Sequence, residues 1–306
     1  MLYHRFLPAA LFVAVLGVGA NVVTARQPRG VVTVRPLENG VIVSTDWLAR
    51  HISDPDLVVL RVSHMGEHEA ELIPGTRDVS YMDIIETKDG NSTELPNVVT
   101  LKNLFENLGV SNASHVVLYG EAMMAARAFF TLDYLGLEQV SVLNGGIDKW
   151  KAENRPLTRR VVRPGRGQLR PHPRPEIVAN ADWILAHEGQ PGVALIDTRT
   201  DGEYVGAGER HGMPSEGHIA GAKQLQWEQL FSDPATGRFL ESAGLRQLYA
   251  ARIKPGDTVV TYCFVGMRAS VTYLAARAIG LVAKMYDGSY QDWSQRHLPL
   301  SRAVER

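Results

Sequence analysis

The chain has 306 residues, room for about two domains at roughly 150 residues each. Its composition, 45% hydrophobic and 21% charged, is that of an ordinary globular protein able to build two cores. A formal net charge of -1 gives no global field toward nucleic acid or anionic membranes, so a nucleic-acid role loses its support.

The first 25 residues read as separate from the fold. Met1–Phe6 carries His4 and Arg5, Leu7–Ala20 is nearly all apolar and small, and Val23-Thr24-Ala25 precedes Arg26. That order is the n-region, h-region and cleavage site of a secretory signal peptide over 1–25. Its apolar core of about 14 residues falls short of the ~20 that a spanning helix needs. Left uncleaved, Leu7–Ala25 would act as a single anchor. There is no twin-arginine pair, so Sec-type export is expected, giving a periplasmic or secreted protein with no membrane association after cleavage.

The rest repeats itself. "STDWLARHISDPDLVVLRVSHMGEHEAE" (44–71) aligns without gaps on "NADWILAHEGQPGVALIDTRTDGEYVGA" (180–207), and "VVLYGEAMMAARAFF…LNGGIDKW" (116–150) on "VVTYCFVGMRASVTY…YDGSYQDW" (259–293). A change of register between these blocks places an insertion in the second copy near 206–216. Each copy has one grammar. A helix follows a Ser44 or Asn180 cap, and a short β-branched strand comes next, Leu57–Val62 or Val193–Thr198. A second buried strand, Val116–Tyr119 or Thr258–Tyr262, leads through a tight loop into a helix. Short apolar strands alternating with helices indicate two α/β domains, 38–156 and 177–306, each a small parallel sheet with helices on both faces.

Within the first copy, "SHMGEHEAE" offers His64 and His68 beside glutamates. A polar loop after a strand is its plain reading, because no further convergent ligand follows; no metal is expected. Between the copies, "LTRRVVRPGRGQLRPHPRPE" (157–176) holds six arginines, four prolines and two glycines. It reads as an extended solvated linker, with a basic docking strip as the alternative.

The only cysteine, Cys263, lies in "TYCFVGMRAS" (261–270), at the carboxyl end of a strand and before a helix. Alone it cannot make an intramolecular disulfide, so it is an unpaired buried thiol, a thiol bonded to a partner, or a free reactive one. Ligands of open parallel sheets bind at this end of the strands. A loop turning through Gly266 into the helix can aim its N–H groups inward as an anion-binding nest, which stabilises sulfur as the nucleophilic thiolate. Arg268, five positions on, can either form a surface salt bridge or face the mouth and fork onto an oxyanion. The first copy is an internal control: Gly120 stands for Cys263, Met123 for Gly266, Ala125 for Arg268, Arg61 for Asp197 and Ser63 for Arg199. The core pattern survives there without the reactive set.

Together, "DWL" and "DWI", "IDTRTDGEYVG" (196–206), "EGHIAGA" (216–222), "TYCFVGMRAS" and "YDGSYQDW" (286–293) resemble the tandem-domain rhodaneses, thiosulfate-type sulfurtransferases, along nearly all of 38–300. The resemblance implies an inactive first domain and an active second one whose Cys263 takes up sulfane sulfur as a persulfide and passes it to cyanide or a thiol. It implies no cofactor. Its partners would be a small anionic sulfur donor and a thiophilic acceptor. Arg268 and Arg199 would neutralise the donor, and Phe264, Val265, Gly266 and Met267 would form the cradle and rim. Asp197 would orient Arg199, and His218 would tie its turn to the strand.

Three alternatives stay open. Related phosphatases and arsenate reductases place five residues between cysteine and arginine, whereas four intervene here, a tighter loop that favours sulfur. The 3-mercaptopyruvate enzymes resemble C-G-[ST]-G-V-T, from which "CFVGMR" departs by carrying Arg268. Glu203 stands where vertebrate-like thiosulfate enzymes have a second arginine, and Phe264 and Val265 where they have a cation. With Phe264 and Met267 exposed, that rim would also suit a carrier that hands its sulfur to a protein acceptor.

Overall fold

Two copies of one five-stranded parallel sheet carry the chain in the computed structural model, which describes residues 40–64, 71–207 and 216–302 together with residue 2 and the short strands at 209–210 and 213–214. The expected signal peptide and His68 lie outside the described residues.

In the first copy the strands are β1 (Ile42–Val43), β2 (Leu57–Ser63), β3 (Arg77–Ser80), β6 (His115–Gly120) and β7 (Val140–Leu143), in the order β1-β7-β6-β2-β3. Between β3 and β6 comes a hairpin, β4 (Glu86–Lys88) and β5 (Asn91–Glu94). In the second copy β8 (Val178–Ala179), β9 (Val193–Asp197), β10 (Lys223–Gln224), β11 (Thr258–Tyr262) and β12 (Ala283–Tyr286) take the order β10-β9-β11-β12-β8. Strand for strand the topology is the same, and every pairing in both sheets is parallel.

The helices of the first copy are α1 (Thr45–His51), α2 (Val98–Asn107), α3 (Ala122–Tyr134) and α4 (Gly146–Ala152). Those of the second are α5 (Ala181–His187), α6 (Asp201–Val205), α7 (Ser242–Ala250), α8 (Met267–Ala278) and α9 (Ser289–Gln295). The expected caps close the first turns of α1 and α5: Ser44 Oγ accepts from Trp47 N–H at 3.1 Å, and Asn180 Oδ1 from Trp183 N–H at 2.8 Å. Between the copies, residues 159–174 form neither helix nor strand. Among the described residues no helix is long and apolar enough to cross a membrane.

Alternation along β2 shows why both sheet faces are covered. Val58, Leu60 and Val62 point into one large core, while Val59 joins Val43, Leu48, Val117 and Trp150 on the other side. The large core is shared by both copies, because α3 and α8 pack against each other inside it. Tyr273 of α8 meets Phe130 of α3 edge-on at 5.1 Å, and its hydroxyl donates to Asp133 at 2.7 Å. Deeper in the same interface Arg127 of α3, fully buried, pairs with Asp287 beyond β12 at 2.5 Å. A pair this dry contributes mainly registration, since desolvation offsets most of its Coulomb energy. It fixes the second copy's loop region against the first.

Candidate active site

The end of β11 delivers Cys263 to the mouth of α8. Gly266 takes φ +91°, a conformation that disfavours any side chain, and a Cβ there would lie 2.9 Å from the Asp287 carbonyl. This turn folds the loop back so that Gly266 N–H donates to Cys263 Sγ at 3.1 Å. The Cys263 N–H donates to Ser289 Oγ at 3.2 Å, and Ser289 in turn donates to the Tyr286 carbonyl. The opening of α9 holds the outward face of the loop: Tyr290 N–H donates to the Cys263 carbonyl at 3.0 Å and Gln291 N–H to that of Phe264 at 2.9 Å. α8 begins at Met267, four residues after Cys263, and its first-turn amides have no intrahelical acceptor.

The charged residues differ from a free cationic rim. Arg268 is buried and gives both Nη atoms to Glu203 of α6, at 2.7 and 2.8 Å. Burial opposes its charge, yet the bonds to Glu203 and the neighbouring Cys263 and Glu203 charges hold its pKa above the ordinary value. Glu203 is desolvated as well, but Arg268 and the Thr200 N–H bring its carboxyl down to about 2. The fork expected for an oxyanion is therefore filled by a carboxylate of the chain itself. Glu203 also closes the capping box of α6 with Thr200, so one side chain starts the helix and neutralises the loop's arginine.

Arg199 is likewise enclosed, with Nη2 donating to Asp197 at 2.7 Å and to the Gly217 carbonyl at 2.8 Å, under the Tyr290 ring at 4.2 Å. Asp197 accepts from Arg199 Nε as well, at 3.0 Å, and from Tyr262 Oη at 2.7 Å. His218 stacks on Tyr204 at 3.7 Å and its Nδ1 bonds the Tyr204 carbonyl at 2.8 Å, which ties its turn to α6 rather than to a strand. Phe264 corrects another expectation. It is 3% exposed against Tyr290, not at the rim, and only Val265 and Met267 of the loop are half-buried. Cys263 itself is 1% exposed.

Several supporting residues escaped the sequence reading: Ser289, Tyr290, Gln291 and Asp287 in the second copy, and the β4–β5 hairpin in the first. "YDGSYQDW" carried the former as a motif without roles, and Asp89-Gly90, a strong hairpin-turn signal, could have located the latter. The first copy has no equivalent loop. Its α3 begins at Ala122, two residues after Gly120, and a Cβ on Gly120 would meet the Val62 carbonyl at 2.3 Å. The position aligned with the cysteine is thus closed to any side chain. Among the described residues no set of three or more His, Cys, Asp or Glu side chains converges as metal ligands.

A buried cysteine at a strand end, bonded by its own loop amide ahead of a helix, is present in one of two duplicated α/β domains. The rhodanese-like domain matches twice, at residues 44–153 and 180–296, and the chain belongs to the rhodanese family. It is similar to the sulfur carrier protein TtuD of Thermus thermophilus, 34% identical over 87% of this chain and 98% of that one. It is also similar to the thiosulfate sulfurtransferase of Azotobacter vinelandii, 30% identical over 83% and 93%. The structure superimposes on SseA of Escherichia coli, a 3-mercaptopyruvate sulfotransferase, with a TM-score of 0.70 over 82% of this chain and 98% of that one at 24% identity.

Proposed function

We propose that Cys263 carries sulfane sulfur from an anionic donor of the thiosulfate type to a thiophilic acceptor, cyanide or a thiol. The thiolate attacks the outer sulfur of the donor. The donor's S–S bond breaks with its electron pair leaving on sulfite, and the new S–S bond makes Cys263 a persulfide. An acceptor nucleophile then takes the outer sulfur, and the Cys263 thiolate leaves. The Gly266 N–H on Cys263 Sγ, at 3.1 Å, is the observation that carries this reading. A donor already aimed at sulfur stabilises the anion without reorganisation, and the first-turn amides of α8 serve the terminal sulfur in the same way.

The donor follows from the charges. Arg268 in "CFVGMR" favours an inorganic anion over 3-mercaptopyruvate, but its pairing with Glu203 leaves the thiol's surroundings close to neutral. Thiosulfate turnover is accordingly slow. The same neutrality favours a second reading, in which the persulfide is carried to a protein acceptor, as the name of the Thermus relative suggests for that protein. Residues 1–25 are proposed as a cleaved export signal, which N-terminal sequencing of the protein recovered from a cell envelope fraction tests.

Mass spectrometry after incubation with thiosulfate is the decisive experiment. One added sulfur, about 32 Da, on the wild-type chain and none on Cys263→Ala establishes the covalent intermediate. Absence of that adduct with thiosulfate and with 3-mercaptopyruvate overturns the transfer reading.

A further inference from the structure

The hydrogen bond reaching Cys263 Sγ comes from one peptide unit. Its N–H belongs to Gly266 and its C=O to Val265, and a planar trans peptide points the two in opposite directions. Whatever holds the carbonyl therefore aims the N–H. A glycine on one side leaves this unit little intrinsic preference, so its orientation needs an outside tether.

That tether comes from the domain without a nucleophile. Thr93 Oγ1 donates to the Val265 carbonyl across 172 residues of sequence. Thr93 lies in β5, whose hairpin turns at Asp89 and Gly90 with φ of +52° and +84°. The register pairs Glu86 with Glu94 and Lys88 with Asn91, so Ser92 and Thr93 together face the single Thr87. This is a β-bulge, a device that re-aims a side chain out of its strand's alternation. It leaves Thr93 at φ +145°, a costly conformation for a β-branched residue that persists only where surrounding contacts impose it.

Those contacts all lead to the second domain. Ser92 N–H and Oγ both donate to Gln291 Oε1 at 2.9 Å, and Gln295 Nε2 donates to the Gly90 carbonyl at 3.2 Å. On the other side of Thr93, Leu95 N–H donates to Asp287 Oδ2 at 2.8 Å. Asp287 is also the residue whose carbonyl a Gly266 Cβ would meet at 2.9 Å. The hairpin is thus anchored on both sides of Thr93, against the segment that also holds the Cys263 and Phe264 carbonyls.

We propose that Thr93 is a positioning residue for sulfur transfer: the first domain uses its bulged hairpin to hold the Val265–Gly266 peptide with its N–H on the Cys263 sulfur. This rests on the assignment of Cys263 as the sulfur-carrying nucleophile. It gives the repeat that lost its thiol a part in the chemistry, because neither domain alone contains both ends of the tether.

The test compares Thr93→Val, Thr93→Ala and Thr93→Ser in the full chain. The readouts are iodoacetamide alkylation of Cys263 as a function of pH, and persulfide formation from thiosulfate. Loss of a hydrogen bond to a charged group moves the alkylation profile of the Val and Ala variants to higher pH by about one unit. It also slows persulfide formation roughly tenfold, in kcat more than in KM. Thr93→Ser keeps the hydroxyl and stays near wild type in both. A Val or Ala profile that superimposes on wild type overturns the proposal, as does a Ser variant displaced as far as Val. Alkylation requires no sulfur donor, so its result stands even if the wild-type chain forms no persulfide, an outcome that would fault the function and not the tether.

Discussion

Glu203→Gln separates the two tasks that Glu203 performs. Glutamine serves at the third position of a capping box as glutamate does, so the start of α6 with Thr200 survives the change. The charge opposite Arg268 is what disappears. Both members of that pair are 5% exposed, and breaking a buried pair by removing one partner leaves a desolvated charge costing about 3–5 kcal/mol. The carboxyl itself gives an independent figure. Its depression from 4.5 to about 2, at about 1.4 kcal/mol per pH unit, corresponds to about 3 kcal/mol. Because the folded-state value is the lower one, this stability is present above the unfolded value of 4.5 and lost as pH falls through about 2.

Two measurements check the argument. Taking the lower figure of about 3 kcal/mol, thermal unfolding near neutral pH should show the variant's Tm lower by roughly 6–12 °C, at about 2–4 °C per kcal/mol. Between pH 4.5 and 2 the wild type should lose stability along a slope that the variant lacks in that share. Thiosulfate kinetics should move the other way. Arg268, released beside the thiol, adds a positive charge for a dianionic donor, with kcat/KM expected to rise at least about tenfold through a lower KM. An unchanged KM alongside a lowered Tm would refute the placement of Arg268 toward the donor and leave the pair a purely structural contact.

Further outcomes follow from the same geometry. Arg268→Ala should leave Glu203 buried without its cation, lowering stability by about 3–5 kcal/mol on a denaturant titration, and combining it with Glu203→Gln should abolish any thiosulfate gain seen in Glu203→Gln alone. Burial and the neighbouring Asp287 push the Glu94 carboxyl up to about 8, so the domain interface it belongs to should be strongest below pH 4.5 and weaken as pH rises through 8. Glu94→Gln should flatten that dependence in thermal unfolding across the same range. Gly120→Cys should not create a second transfer site: its Cβ would meet the Val62 carbonyl at 2.3 Å, and the expected result is a loss of about 1–3 kcal/mol with sulfur still added only at Cys263. A second adduct in the mass spectrum would show that the first loop can open.

What was legible in the sequence and what was not divide along the range of the forces involved. The sheets could be read because Val58, Leu60 and Val62 alternate with Val59 over a few residues, and the Ser44 and Asn180 caps act within one helical turn. Cys263 stood out because its twin, Gly120, lacks a side chain altogether, and the structure adds the reason that the twin cannot have one. The pairing of the charges near the thiol is not legible because the partners are remote in sequence: Glu203 reaches Arg268 from 65 positions away, and only the packing of α6 against the loop brings them together. A loop position suggests exposure for Phe264, whereas the opening of α9 covers it with Tyr290. Thr93 was the least accessible of all. "ETKDGNSTE" has no hydrophobic alternation to mark two strands, and the aim of its threonine depends on a one-residue mismatch in register between them. In a duplicated fold the cysteine is readable from its own segment, but the groups that pack around its loop come from both copies.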